Sequence, residues 1–242
     1  MSKAKFDYEG KDLEAMAFAA NYSRWILEIF EPYLGKRIVE VGAGKGSFTK
    51  LILELSPKKL ILIEPSKNMY GLLEQEVKKL PHKEKVFTFN GFLSDSAKSI
   101  QQVHSPDSAI YINVLEHVED DGQELKTVYS MLPQGGRLFI FVPALQRLYS
   151  EYDKSIGHFR RYYKKDLEKM CQIAGFSILY SSYFDMPGIL PWWTKYTVGK
   201  STNMRTKDIE KYDKFAIPFI KRLEKKIKPP IGKNIILVAE KK

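Results

Sequence analysis

A glycine-rich stretch is the part of the chain best suited to binding a ligand. Residues 40–46 read Glu-Val-Gly-Ala-Gly-Lys-Gly, follow the apolar pair Ile38-Val39 and precede a helical-looking stretch, 47–55. Glycines between a strand and a helix bring bare backbone and a helix N-terminus against a ligand, because they carry no Cβ. The sequence therefore predicts a cofactor-binding loop at this position.

Glycine spacing and two acids narrow the choice of ligand. A dinucleotide-binding loop has the spacing G-x-G-x-x-G, but here the third glycine comes one residue too early. Glu40 would repel a pyrophosphate and suits a cation, such as the amino group of a methionyl moiety. Glu64 lies 20 positions beyond Gly44, after the apolar run 60–63, and can accept both hydroxyls of a ribose. A nicotinamide or flavin site and a purely structural turn remain as alternatives.

The motif E-x-G-x-G-x-G together with Glu64 resembles that of the class I S-adenosylmethionine-dependent methyltransferases. The resemblance covers roughly residues 35–184 and 234–240 and implies S-adenosyl-L-methionine as the cofactor. It places residues 91–93 at the adenine, and residues 113–117 beside the methionyl group and the methyl acceptor. The cofactor residues predicted in this way are Glu40, Gly42, Ala43, Gly44, Gly46, Glu64, Pro65, Met69, Gly91, Phe92, Leu93, Asn113 and Val114.

Short apolar runs alternate with amphipathic stretches, as in a parallel sheet covered by helices. We predict strands at 38–41, 60–63, 86–89, 109–112, 137–142, 176–184 and 234–240 and, among the helices, one at 165–174 that stops at Gly175. The expected fold is α/β: a Rossmann-like, seven-stranded, mostly parallel sheet with helices on both faces. The resemblance implies an antiparallel last strand.

Three segments are expected in the domain organisation. Residues 1–34 form an N-terminal helical cap over the cofactor edge, with a helix at 11–30. Residues 35–184 with 234–242 form the methyltransferase domain. Residues 185–233 form a basic helical insertion before the last strand, because 49 residues are too many for a structureless connection.

Two motifs carry a narrower resemblance. The phrase VLEHVED followed by LPQGGRLFIFVPA is typical of the small-molecule branch of the family. The phrase YDKSIGHFRRYYKKDL, followed by AGF, is similar to methyltransferases found beside glycosyltransferases of bacterial surface-glycan pathways. The implied reaction is O-methylation of a sugar or of a glycan-lipid precursor, so the expected partner is a small-molecule or lipid-linked acceptor.

Methyl transfer to a hydroxyl needs alignment and a base, and histidine is the natural base near neutral pH. His117 follows the fourth strand and His158 follows the fifth, both at the ligand edge; His82 and His104 fall at the opposite end and are expected to face solvent. His158 and His117 are the candidate catalytic residues, although structural hydrogen bonding beside the cofactor remains open for His117. The predicted substrate-binding residues are Tyr22, Asp153, Arg160, Arg161 and Tyr162. No metal-ligand spacing is present in the sequence, so we expect no metal.

Charge is concentrated in the insertion. Residues 186–233 carry 12 Lys/Arg against 4 Asp/Glu, out of a net charge of +10 for 242 residues. From Pro218 onward an apolar stripe (Phe219, Ile220, Leu223, Ile227) accompanies lysines, so this helix is either a packed substrate lid or an element that lies on an anionic membrane surface. The single cysteine, Cys171, and the polar start predict a cytoplasmic protein, either free or peripheral at the inner face of the membrane.

Nucleic acid is a weaker alternative acceptor. The stretch EVGAGKGSFTKLIL also resembles the cofactor loop of the rRNA adenine dimethyltransferases. Those enzymes carry an Asn/Asp-Pro-Pro-aromatic or Asn-Leu-Pro-aromatic motif that stacks a flipped base, whereas residues 113–116 read Asn-Val-Leu-Glu and lack both the proline and the aromatic ring. A catalytically silent adenosylmethionine-binding partner subunit is the other alternative, and the sequence leaves the oligomeric state open.

We predict that S-adenosylhomocysteine binds and NAD does not. Glu40 favours an ammonium group, and the glycine spacing provides no seat for a pyrophosphate. Calorimetric titration of the protein with each compound checks this. Binding of NAD without binding of S-adenosylhomocysteine would contradict the assignment of the glycine loop.

Overall fold

The computed structural model describes residues 19–242, and these form a single seven-stranded sheet. The strands are β1 (Arg37–Val41), β2 (Lys59–Glu64), β3 (Val86–Asn90), β4 (Ser108–Ile112), β5 (Arg137–Pro143), β6 (Phe176–Phe184) and β7 (Asn234–Lys241). Their order across the sheet is β3-β2-β1-β4-β5-β7-β6, and β7 runs antiparallel to both of its neighbours. The predicted fold class is confirmed, and each predicted strand lies within one residue of its observed ends.

Helices surround the sheet. Along the described chain they are α1 (Ala20–Phe30), α2 (Ser47–Glu54), α3 (Lys67–Lys79), α4 (Leu93–His104), α5 (Asp121–Met131), α6 (Glu151–Ser155), α7 (Lys164–Ile173), α8 (Ile189–Trp192), α9 (Thr206–Lys211) and α10 (Ile217–Lys226). The predicted helix 11–30 is described only from Ala20 onward; its earlier part lies outside the described residues. None of the described helices is long and apolar enough to cross a bilayer.

Each face of the sheet has its own apolar core. On one face, α4, α5 and α7 contribute side chains such as Ile100, Val128 and Leu167, all fully buried. On the other face, α1 and α2 pack with Trp25 and Ile52, which are also buried. Strands that are covered on both faces must be apolar throughout, which is why β2 reads Leu-Ile-Leu-Ile.

Parallel pairing in the middle of the sheet creates the ligand edge. Strand β1 pairs in parallel with β2 on one side and with β4 on the other. After β1 the chain continues to β2 on one side of the sheet, and after β4 it continues to β5 on the other side. The two connections therefore separate at the carboxyl ends of β1 and β4. Open α/β sheets bind ligands in the crevice at such a switch point.

The basic insertion is helical, as predicted, and is fixed to the rest of the molecule. It contains α8, α9 and α10, with π-helical segments at Trp193–Val198 and Tyr212–Ala216. The Asp213 carboxylate accepts hydrogen bonds from the backbone amides of Asn21 (3.0 Å) and Tyr22 (2.8 Å), which lie in the first turn of α1. Lys221, on α10, forms an ion pair with Glu28, on α1, at 2.5 Å.

The buried side of α10 differs from the predicted stripe. Ile217 and Ile220 are buried, whereas Phe219 is 70% exposed and Ile227 is 65% exposed. The reason is that Ile217 and Ile220 pack in the core with α1. At about 100° per residue, Phe219 lies roughly 200° around the helix from Ile217 and therefore faces outward. Phe215, Phe219 and Leu223 recur every four residues and are all exposed.

Candidate active site

The glycine loop after β1 has the backbone that its sequence predicts. Gly42, Gly44 and Gly46 adopt positive φ angles of 70°, 56° and 83°, a region that favours glycine. A Cβ on Gly42 would lie 2.4 Å from Val114 Cγ2. The loop therefore passes so close to the chain beyond β4 that only glycine fits at position 42.

Glu64, at the end of β2, organises this loop. Its carboxylate accepts hydrogen bonds from the Gly44 amide at 2.8 Å and from the Ser66 amide at 2.9 Å. Burial raises its pKa, and these two backbone bonds oppose the rise. The sequence suggested Glu64 as a ligand residue but gave no sign that it also ties the glycine loop to β2.

Glu40 is buried in β1 beside the loop. Thr49, on α2, donates its hydroxyl to the Glu40 carboxylate at 2.6 Å. Burial raises the pKa of Glu40 to about 8; the Thr49 hydrogen bond opposes this rise and the nearby Glu64 charge adds to it. Glu40 is therefore mostly protonated at neutral pH.

A first cavity of about 560 Å³ opens above the glycine loop, at the carboxyl edge of the sheet. Eleven of the predicted cofactor residues line it: Glu40, Gly42, Ala43, Gly44, Glu64, Pro65, Gly91, Phe92, Leu93, Asn113 and Val114. Gly46 does not, because it packs beneath Leu73, whose Cδ1 would lie 3.1 Å from a Cβ at Gly46. Met69 does not either, because it is buried in α3.

Other residues of the first cavity had no clear sequence signal. The wall includes Phe48 on α2, Asp120 and Gln123 at the start of α5, and Phe159 in the loop after α6. Asp120 could have been identified, because an aspartate before an amphipathic helix is a typical N-cap and here accepts the Gln123 amide at 2.9 Å. Phe159 reaches the cavity only through the tertiary fold.

A second cavity, of about 480 Å³, lies between the sheet edge and the basic insertion. Of the predicted substrate-binding residues, Tyr22 and Arg161 line it, together with the candidate catalytic residue His158, whereas Asp153, Arg160 and Tyr162 do not. Asn113 lies on the walls of both cavities, so the two spaces meet at the end of β4.

The three predicted substrate residues outside the second cavity support other groups. Arg160 donates to Asp121 and to the Glu119 carbonyl, both at 2.7 Å. Tyr162 donates its hydroxyl to Asp121 at 2.9 Å. Asp153 is fully buried beneath His158 and Arg161. The three residues do lie close to His158 and Arg161, but their polar groups bind other protein groups and do not line the cavity.

His158 is oriented by a buried carboxylate. Asp153 Oδ1 accepts from His158 Nδ1 at 2.9 Å, and the same carboxylate binds the Arg161 guanidinium at 2.8 Å. Burial opposes ionisation of Asp153, but hydrogen bonds from His158, Arg161 and Ser150 outweigh it and lower its pKa. Arg161 also lies over the Trp192 ring at 4.4 Å, so Trp192 belongs to the cavity wall rather than to a free surface.

The two histidines of the edge lie on opposite sides of the boundary. His117 lines the first cavity and His158 the second, with ring centroids 4.6 Å apart. Burial lowers the pKa of His117 to about 3; proximity to His158 adds to this effect, and a hydrogen bond with the Gly157 backbone opposes it. His117 is therefore neutral near pH 7 and a poor proton acceptor.

The remaining histidines lie away from the edge. His82 is exposed, as expected. His104 is buried at the end of α4 and packs against Phe87 at 4.4 Å between ring centroids, so the expectation that it faces solvent is wrong. Its position at a helix end gave no indication of the two phenylalanines on β3.

Comparisons with known proteins give a consistent result. A protein-family profile described as a methyltransferase domain matches residues 14–181. No curated protein sequence matches the chain. The structure is similar to that of a SAM-dependent methyltransferase from Archaeoglobus fulgidus (TM-score 0.61, 18% identity, 95% of this chain and 99% of that one).

Two further solved structures share the fold. One is a SAM-dependent methyltransferase from Thermotoga maritima (TM-score 0.59, 18% identity, 96% of this chain and 95% of that one). The other is a methyltransferase from Haloferax volcanii in complex with the Trm112 methyltransferase activator (TM-score 0.59, 12% identity, 98% and 99% coverage). At these identities the likeness shows the fold alone.

We predict that S-adenosylhomocysteine binds more tightly as the pH rises from 6 to 8. An ammonium group needs the ionised form of Glu40, and with a pKa of about 8 that form increases roughly tenfold per pH unit below 8. Calorimetric titration across this range measures the slope. Glu40→Gln should remove it, and Glu54→Gln, at an exposed carboxylate on α2, should not. An affinity of the unmodified protein that does not change with pH would contradict the prediction.

Proposed function

The chain belongs to the methyltransferase-domain family, whose methyl donor is S-adenosylmethionine, and we propose that it methylates a hydroxyl of a sugar or of a glycan-lipid precursor. The observation that carries the proposal is the second cavity, which adjoins the first at Asn113 and is covered by the basic insertion. A covered space of about 480 Å³ suits a small molecule or one sugar ring.

Wall chemistry supports this class of acceptor. The second cavity is lined by aromatic rings, four of them tyrosines with hydroxyl groups, together with charged groups that have partners in the protein: Tyr22, Phe141, Tyr152, Trp192, Tyr196, Tyr212, Arg161, Lys195 and Lys233. Ring faces fit the apolar CH faces of a sugar, and tyrosine hydroxyls fit its polar edge. Lys233 and Lys195 form ion pairs with Asp185 and Asp208.

A polynucleotide is a less suitable acceptor for this geometry. An enzyme that acts on a nucleic-acid base must hold the flipped base and its attached backbone. Here the acceptor side of the boundary is covered by residues 186–233, and the basic Lys221 and Lys225 of that segment are paired with Glu28. RNA therefore remains the alternative acceptor, and labelling of separate RNA, lipid and small-molecule fractions distinguishes it from a sugar.

In the proposed reaction, the first cavity holds the donor and His158 assists the acceptor. S-Adenosylmethionine supplies an activated methyl group for in-line displacement. Glu40 and residues 42–45 would bind the methionyl end, Glu64 the ribose and Gly91 with Phe92 the adenine. His158 Nδ1 is held by Asp153, which leaves Nε2 for the acceptor side of the boundary, where it helps the hydroxyl to lose its proton.

Exposed apolar residues on the insertion support a second part of the proposal, contact with an anionic membrane at its inner face. Phe215 is 72% exposed and Phe219 is 70% exposed, next to the cations Lys214 and Arg222. Aromatic side chains beside cations are typical of elements that lie on a lipid surface. The same segment covers the second cavity, so a lipid-linked acceptor could enter from the membrane.

We predict that methyl-labelled S-adenosylmethionine labels a small-molecule or lipid fraction, and that His158→Ala lowers the rate by about 10² to 10⁴. The affinity for S-adenosylhomocysteine should stay within about twofold, because His158 lines the other cavity. The assay offers lipid extract, nucleotide sugars and total RNA in parallel, with His82→Ala as the control. Label in RNA would favour the alternative acceptor; absence of transfer to any fraction would favour a silent partner subunit.

We also predict cosedimentation with anionic vesicles at low salt, with release as salt screens the attraction. Changing Phe215 and Phe219 together to Ser should lower the partition coefficient more than tenfold, since burial of each ring contributes roughly 1.5–3 kcal/mol. Val103 and Ile173, exposed elsewhere, serve as the matched control pair when both are changed to Ser. Equal loss in both pairs, or no cosedimentation at any salt, would leave the insertion as a lid alone.

A further inference from the structure

Three potential metal ligands meet at the boundary between the two cavities. Glu116, His117 and His158 each offer one ligand atom, and these atoms lie within 4.8 Å of one another. Glu116 and His117 belong to the turn that follows β4, whereas His158 lies 41 positions beyond His117 in the loop after α6. Spacing in the sequence could not connect them, which is why the sequence predicts no metal site.

We propose that Glu116, His117 and His158 bind a divalent transition-metal ion of the Zn²⁺ type, which in turn binds the oxygen of the acceptor. The inference rests on the proposed function and deepens it: with Nε2 bound to the ion, His158 would assist the hydroxyl through the ion and would not take the proton itself. Two histidines and one carboxylate, with one position left for water or substrate, form a recurrent catalytic zinc set.

Distances within the cluster fit a shared ion. His158 Nε2 lies 3.7 Å from Glu116 Oε1. In a tetrahedral site, two ligand atoms that each lie about 2.0–2.2 Å from the ion are about 3.3–3.6 Å apart, so this pair is close to the required spacing. A pair separated by the full 4.8 Å would have to approach by about 1.2 Å, which requires rotation of the side chains.

Outer contacts orient the histidines as metal sites require. Asp153 Oδ1 accepts from His158 Nδ1, which directs Nε2 toward Glu116. His117 is held by a hydrogen bond with the backbone of Gly157. Metal-bound histidines almost always bond through the second ring nitrogen to a carboxylate or a backbone carbonyl, and this fixes the tautomer that can bind the ion.

The carboxylate of the cluster is a ligand that suits a cation. Glu116 is fully buried, and His158 lies between it and the buried Asp153, which also binds Arg161. A divalent ion bound there would stabilise an oxygen that loses its proton.

Location gives the ion a role in the reaction. Because His117 lines the first cavity and His158 the second, an ion held by both would lie beside the place where the two cavities adjoin. The acceptor O–H loses its proton to water, the O–CH₃ bond forms as the S–CH₃ bond breaks, and the donor leaves as a neutral thioether. The ion is neither consumed nor oxidised.

Zinc titration of chelator-treated full-length protein tests the site without any acceptor. We expect one equivalent to bind, with Mg²⁺ unable to compete because it prefers oxygen ligands. Glu116→Gln and, separately, His117→Gln should weaken Zn²⁺ binding more than about 100-fold, since the loss of an outer-shell partner alone costs 10–100-fold. His82→Ala, which removes an exposed histidine beside Glu84, should leave the affinity unchanged.

Two further measurements keep the result decisive. A cooperative thermal unfolding transition, measured on the same samples without zinc, shows which variants are folded, and a Zn²⁺-dependent rise in Tm should occur in the unmodified protein and in His82→Ala only. No zinc binding, or equal binding by a folded Glu116→Gln or His117→Gln variant, would overturn the metal site. Methyl transfer that continues at full rate in chelator would also overturn it, while leaving the proposed acceptor class intact.

Discussion

The parallel pairing of β1 with both β2 and β4 is the constraint on which the site depends. Glu40 lies opposite Leu62 on one side and Ile110 on the other, so the three strands end at nearly the same level. Glu64 and Asn113 therefore lie near the glycine loop, although they are far from it in sequence. Because the connections after β1 and β4 leave this edge toward opposite faces of the sheet, a crevice forms there.

Buried carboxylates fix the parts of this crevice. Glu64 holds the glycine loop, and Asp153 holds His158 and Arg161. Asp185 accepts a hydrogen bond from the Tyr212 hydroxyl at 2.6 Å and forms an ion pair with Lys233 at 2.9 Å. An isolated buried charge is expensive, so each of these acids is stabilised by several donors. These contacts fix the glycine loop, His158 and the basic insertion in place around the two cavities.

Elements of the fold were predictable where a local pattern determines them. Strands that are buried on both faces appear in the sequence as apolar runs. The glycines of the loop 42–46 predict its backbone conformation. The second cavity was not predictable, because it depends on contacts such as that between Tyr22 and Asp185, 163 positions apart. The same reason explains His104, whose burial depends on Phe87, and Arg160, whose partner Asp121 lies on a distant helix. Periodicity reports which face is apolar, but it does not report which neighbour covers that face.

The Asp213 carboxylate, which accepts hydrogen bonds from the amides of Asn21 and Tyr22, has a mechanical consequence. Together with the ion pair between Lys221 and Glu28, it joins the insertion and α1 at both ends of that helix. The insertion that covers the second cavity therefore cannot move independently of α1. Either the two move together, or these contacts must break. Trp25 and Phe30 anchor α1 against the sheet, so entry of the proposed acceptor would be coupled to the packing of the core.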